Sequence, residues 1–142
     1  MGGFINAEEQ RLLDHWTGKT SYSVPTWYCA VSTTTPTEAG ATFTEPSAGA
    51  YARKQVTAAT WTAATGGDPS STSYGAQITF NQATGGWGTL THFGFFSALT
   101  LATGLPLFWG TLTNAKAIQT NDSASFAANT LLVKLGDPPD TY

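Results

Sequence analysis

Few residues in this chain could do chemistry. His15, His92 and Cys29 are its only soft or borderline metal ligands, whereas a zinc site needs several such side chains converging. There is neither an H-E-x-x-H helix nor a C-x-x-C pair, so zinc catalysis has no support. His15 follows Asp14 in a helical pattern and His92 sits between Thr91 and Phe93 in a strand pattern; both read as structural histidines. Cys29 falls inside an alternating strand, where a small thiol packs as a hydrophobe. No G-x-S-x-G elbow presents a serine nucleophile. Glu38 and Glu45 share a loop-like stretch that gives no reason to face them across a cleft as a glycosidase pair. Gly85-Gly86-Trp87-Gly88 lacks the Lys-Ser/Thr of a phosphate loop and reads as a turn. Asn121-Asp122-Ser123 matches a glycosylation acceptor but carries no weight without a secretory signal. The expectation is a protein that is not an enzyme, with no catalytic, cofactor-binding or metal-binding residue.

Composition removes further classes. A net charge of −3 and a pI near 5.1 leave no electrostatic footprint for nucleic acid. Positions 1–6 carry no basic residue, which argues against a secretory signal, and Asn6 stands where a myristoylation motif wants Ser or Thr. The mostly apolar run 93–109 is too short and too interrupted, notably at Pro106, to span a membrane. One cysteine excludes an internal disulfide framework and fits a soluble protein made without need of oxidation. Charged residues make up 11%, against about 25% in an average soluble domain. Thr, Ser, Ala and 15 Gly fill the gap. Aromatics at 13% argue against disorder.

The elements that would position these residues follow from periodicity. Asn6 is placed to cap a helix, with Glu9 as its capping-box partner. Leu12, Leu13 and Trp16 form its apolar stripe, which must dock because so short a helix is marginal alone. Gly18 is placed to end it. Beyond it, strands are expected over residues 24–32, 51–57, 60–62, 77–80, 89–96, 107–113, 117–119, 123–126 and 131–135, with a short edge strand near Phe43. Turn signals recur between them. The pattern predicts a mainly β chain: an antiparallel β-sandwich or jelly roll with one short N-terminal helix. Residues 1–142 read as a single domain, with 1–18 the helix and its cap, 19–135 the sandwich and 136–142 a C-terminal arm.

The charge distribution is uneven. From position 69 to 115 there is no Asp, Glu, Lys or Arg, yet the stretch holds Trp87, Phe93, Phe95, Phe96, Phe108 and Trp109. Sheet edges are normally guarded by charge. Two readings follow: these rings form the core beneath a Thr surface, or other subunits bury part of the region. The second nominates Phe4, Trp16, Phe95, Phe96, Leu99, Leu101, Leu105 and Pro106 as candidate interface residues, with 97–106 as the contact loop.

The order of features resembles a known family. Leu12-Leu13-Asp14-His15 is followed by Val24-Pro25-Thr26-Trp27-Tyr28-Cys29-Ala30-Val31. Next come Thr33-Thr34-Thr35-Pro36-Thr37-Glu38-Ala39-Gly40 and Gly49-Ala50-Tyr51-Ala52-Arg53-Lys54-Gln55-Val56-Thr57. Ala83 to Phe96, Leu107-Phe108-Trp109-Gly110, Ser125-Phe126-Ala127-Ala128 and the strand 131–135 complete the series. Together they resemble small bacteriophage virion proteins labelled tail-fibre-like or minor tail proteins, over roughly residues 12–135. The 97–106 segment is more apolar than the polar hairpin expected there, and the Pro138-Pro139 tail runs past the usual last strand.

The resemblance implies a structural virion component, assembled in the bacterial cytoplasm, without catalytic residues. Because the chain reads as compact and unrepeated, the favoured role is a capsid cement or decoration protein that stabilises the shell by binding between capsid subunits. The alternative is a tail-fibre or minor tail protein attaching to host carbohydrate. There, exposed Trp and Tyr would stack on sugars and loops such as 33–49 would supply hydrogen bonds. Expected partners are the major capsid protein or tail proteins of the same virion and further copies of the chain as a dimer or trimer, with no nucleic acid and no membrane.

Overall fold

The computed structural model describes residues 3–67, 69–101 and 103–135. The chain is mainly β, with 35% of residues in strands and one α-helix. The elements are β1 (Gly3–Phe4), α1 (Asn6–Trp16), β2 (Trp27–Ser32), β3 (Lys54–Val56), β4 (Ser70–Ser73), β5 (Ile78–Thr79), β6 (Gly88–Phe96), β7 (Phe108–Ile118), β8 (Ser125–Phe126) and β9 (Leu132–Leu135). A 3-10 turn covers Ala58–Thr60. One antiparallel sheet runs β1-β7-β6-β2-β3, and two antiparallel ribbons, β4-β9 and β5-β8, complete the strands.

Register decides which side chains share a face, because paired residues project the same way. Cys29 pairs with Phe95, Val31 with Phe93, and Phe95 with Phe108. That face packs against Ile78, Tyr74 and Val133 from the ribbons, so the layers form a sandwich around one core. Phe95 is fully buried at its centre, and Phe93 meets it edge-on with centroids 5.8 Å apart. Cys29 lies in this core, and burial pushes its thiol well above the usual range; it is inert packing, as its strand position implied.

Of the two readings of the charge-free stretch, its rings follow the first. Trp87, Phe93, Phe95, Phe96, Phe108 and Trp109 are all buried within the single chain. The rings are buried on both faces of the sheet, while the exposed positions of the same strands, such as Thr89, Thr111, Thr113 and Asn114, are polar without charge.

Several expected elements are displaced, each for a local reason. No strand forms at Phe43; its ring instead fills the space above Gly94, where an added Cβ would come within 2.7 Å of it. Residues 117–119 are not a separate strand. Ala117 and Ile118 continue β7, and a register shift opposite Leu90 and His92 accommodates the extra residues. Thr60–Thr62 gives a 3-10 turn and an isolated bridge from Trp61 to Tyr74. β4 and β1 were not expected at all. The arm 136–142 lies outside the described residues.

The helix departs furthest from expectation. It begins one residue after its cap, which is Ile5 rather than Asn6, and no side chain caps it. Tertiary pairing sets that end: the Ile5 amide donates to Leu107 O at 3.2 Å and the Asn6 amide to Glu38 O at 3.0 Å. The other end is as expected. Gly18 takes φ +75°, and Gly18 and Lys19 donate to His15 O and Asp14 O, a Schellman termination. Of the Leu12-Leu13-Trp16 stripe, however, only Leu12 is half-buried; Leu13 is exposed and Trp16 is 84% exposed. Glu8 is the buried member of the helix, where it accepts hydrogen bonds from the Tyr22 hydroxyl and Arg11. A carboxylate with two donors substitutes for an apolar contact, a pairing that no apolar periodicity reports.

Candidate binding cleft

The two faces of the central sheet carry different chemistry. On the face of Tyr28, Ala30, Gly94 and Phe96, Arg53 lies over the Phe96 ring with its guanidinium carbon 3.7 Å from the centroid. Arg53 is buried, and each guanidinium nitrogen donates. Nε and Nη2 hold Glu45 at 3.0 and 2.6 Å, while Nη1 reaches Ala98 O at 2.6 Å and Thr103 O at 3.2 Å. Glu45 also accepts from the Tyr51 hydroxyl, which in turn accepts from the Val31 amide. Burial and the neighbouring Glu45 push the Tyr51 phenol well above its ordinary range. This clasp ties the 33–49 and 97–106 loops to one strand edge.

The nominated interface residues divide accordingly. Phe95, Phe96 and Pro106 are buried inside the chain. Phe4 packs edge-on against Phe108 at 5.3 Å, and Leu101 lies half-buried against the core. Trp16, Leu99 and Leu105 remain exposed. The structure therefore does not gather the eight residues into one open patch. Loop 33–49 is also not a free set of donors: the Thr33, Thr34, Thr37 and Thr42 hydroxyls all bond backbone carbonyls of the same loop.

The opposite side, at the β3 edge, holds a cleft of about 470 Å³, within the size range of small-molecule sites. Trp27 from β2, Gln55 and Val56 from β3, and Thr57, Ala58 and Trp61 around the 3-10 turn form one wall. Thr72 of β4 and Val133 of β9 form the other. Trp27 and Trp61 stand edge to face at 5.7 Å. Both are anchored inward: Trp27 and Trp61 each touch Phe95, at 5.4 and 5.5 Å, and Trp61 touches Tyr74 at 5.5 Å. The Thr57 amide donates to the Tyr74 hydroxyl, and Gly75 donates to Thr60 O. The aromatic pair is thus held in place before any ligand arrives.

No charged residue lines the cleft. Thr72 spends its hydroxyl on Thr62 O. Gln55 and Thr57 are exposed, and among the described residues neither side chain has a hydrogen-bond partner. The Trp27 indole N–H is buried without an acceptor, a defect that costs about 1–3 kcal/mol. Alternation puts Trp27 on the same side of its strand as Cys29 but gives no sign that Trp61, from a different element, meets it. Among the described residues, no group of three His, Cys, Asp or Glu converges.

A family model described as podophage GP4 fiber I protein gp80 matches residues 3–134. The chain belongs to this phage fibre family. The match takes in β1 and the start of α1 as well as the segments from Leu12 onward on which the sequence resemblance rested. This fibre-family chain is thus a bacteriophage virion component. No curated protein matches it significantly.

Proposed function

We propose that this chain works at the tail fibre as a non-enzymatic subunit in attachment to carbohydrate on the host surface. The family match over residues 3–134 carries this reading, and it favours the fibre role over the capsid cement role that compactness alone suggested. The uncharged aromatic cleft supports it, since rigid rings beside hydroxyl groups suit a saccharide. The exposed Leu13 and Trp16 of α1, with Leu99 and Leu105, leave apolar surface for other fibre subunits or further copies of the chain.

Two measurements on particles test the role. Gold-labelled antibody against the chain should mark the tail, and particles lacking it should lose adsorption while keeping the heat resistance of the shell. Label spread over the capsid, with heat resistance lost and adsorption intact, would establish the cement role instead.

A further inference from the structure

Resting on the attachment reading, we infer that the cleft between Trp27 and Trp61 is the saccharide site of this chain and that its ligand is a short neutral glycan. Three observations select that ligand class. The lining carries no charged side chain, so a sialylated, uronic-acid or phosphorylated sugar would meet no counter-charge on entering an apolar wall. Trp27 and Trp61 offer half-buried ring surface set by contacts with Phe95 and Tyr74, which suits the apolar C–H face of a pyranose and costs little ordering on binding. Thr57 lines the cleft, is exposed and has no side-chain hydrogen bond among the described residues, so its hydroxyl is ready to exchange hydrogen bonds with a sugar; Gln55 pairs with Tyr28 and projects to the opposite face.

The contrast with loop 33–49 strengthens the assignment. That loop has more hydroxyls but spends Thr33, Thr34, Thr37 and Thr42 on its own backbone. The cleft has fewer polar groups; Thr72 is spent on Thr62 O, while the Thr57 hydroxyl is available. An apolar peptide would use the Val24, Pro25 and Val133 surfaces equally well but would gain nothing from an unpaired rim hydroxyl.

The test titrates the purified chain with neutral tetrasaccharides built from glucose, galactose, mannose or N-acetylglucosamine, and with sialylated and uronic-acid tetrasaccharides, following tryptophan fluorescence. At least one neutral glycan should shift the emission saturably, and the charged ones should not. Trp61→Ala should weaken that binding more than tenfold. Thr57→Val, an exposed change that leaves the core intact, should weaken it several-fold with an unchanged melting curve. Binding confined to charged glycans, or neutral binding untouched by both variants, overturns the site. Dimerisation that Trp61→Ala abolishes, with no glycan response, would assign the cleft to a second copy and also overturn it. Failure of the attachment reading itself has a separate signature: particles lacking the chain would adsorb normally.

Discussion

The clasp around Arg53 and the cleft around Trp61 lie at opposite faces of the same sheet, and they differ in how their polar groups are used. At the clasp every guanidinium nitrogen has an acceptor, and the partner carboxylate takes a further bond from Tyr51. The charge is fully compensated inside the fold, so the clasp has nothing left to offer a partner. At the cleft, rings are fixed from behind while the Thr57 hydroxyl remains unspent. Hydrogen-bond satisfaction, more than apolar exposure, separates the part of this molecule that holds itself together from the part available for recognition.

This contrast can be broken from either side. The largest effect is expected at the clasp: Arg53→Met leaves Glu45 buried without its counter-charge and should cost about 3–5 kcal/mol in urea unfolding. The same variant should open 97–106 to proteolysis, because Ala98 and Thr103 lose their donor. Adding Glu45→Leu should recover part of the loss. If Arg53→Met unfolds at the same urea midpoint as the parent, the clasp is not structural.

At the cleft, Trp61→Ala removes a half-buried ring and should cost less, about 2 kcal/mol, in the same assay. A loss as large as that of Arg53→Met would make the cleft part of the core.

A third prediction concerns pH. Burial holds His92 below its ordinary value of 6.5, so the unfolded chain binds more protons in that window. Stability should be full above about pH 6.5, fall as pH drops through that value, and level off once the folded imidazole protonates. His92→Gln should flatten this limb in melting temperature against pH; an unchanged limb would assign the titration to another group. The smallest effect is expected at the exposed helix face, where Trp16→Ser should shift stability by no more than about 0.5 kcal/mol. A larger shift on dilution-sensitive melting would reveal a neighbour covering α1.

Much of this was legible in the sequence where a single element carried the signal. Alternation around Cys29 and Phe95 marked the core strands, and Gly18 marked the end of α1. The remainder depended on partners distant along the chain. Ser70–Ser73 has no apolar alternation and is a strand because β9 pairs with it. Glu8 is outside the apolar stripe of α1, yet it is the buried residue of the helix because Tyr22 hydrogen-bonds it. The rings of 69–115 were legible as hydrophobic but not as self-covered, since that requires knowing that Arg53 pins two loops across the second face. The cleft was hidden for the same reason, its two tryptophans belonging to elements that only the fold brings together.

The most direct test of the central claim is competition for host cells. Soluble chain, added in excess, should reduce adsorption of the phage that carries it, and Trp61→Ala and Thr57→Val chains should compete far less. Equal competition by all three would contradict the cleft as the point of contact, and no competition by the parent chain would contradict attachment altogether.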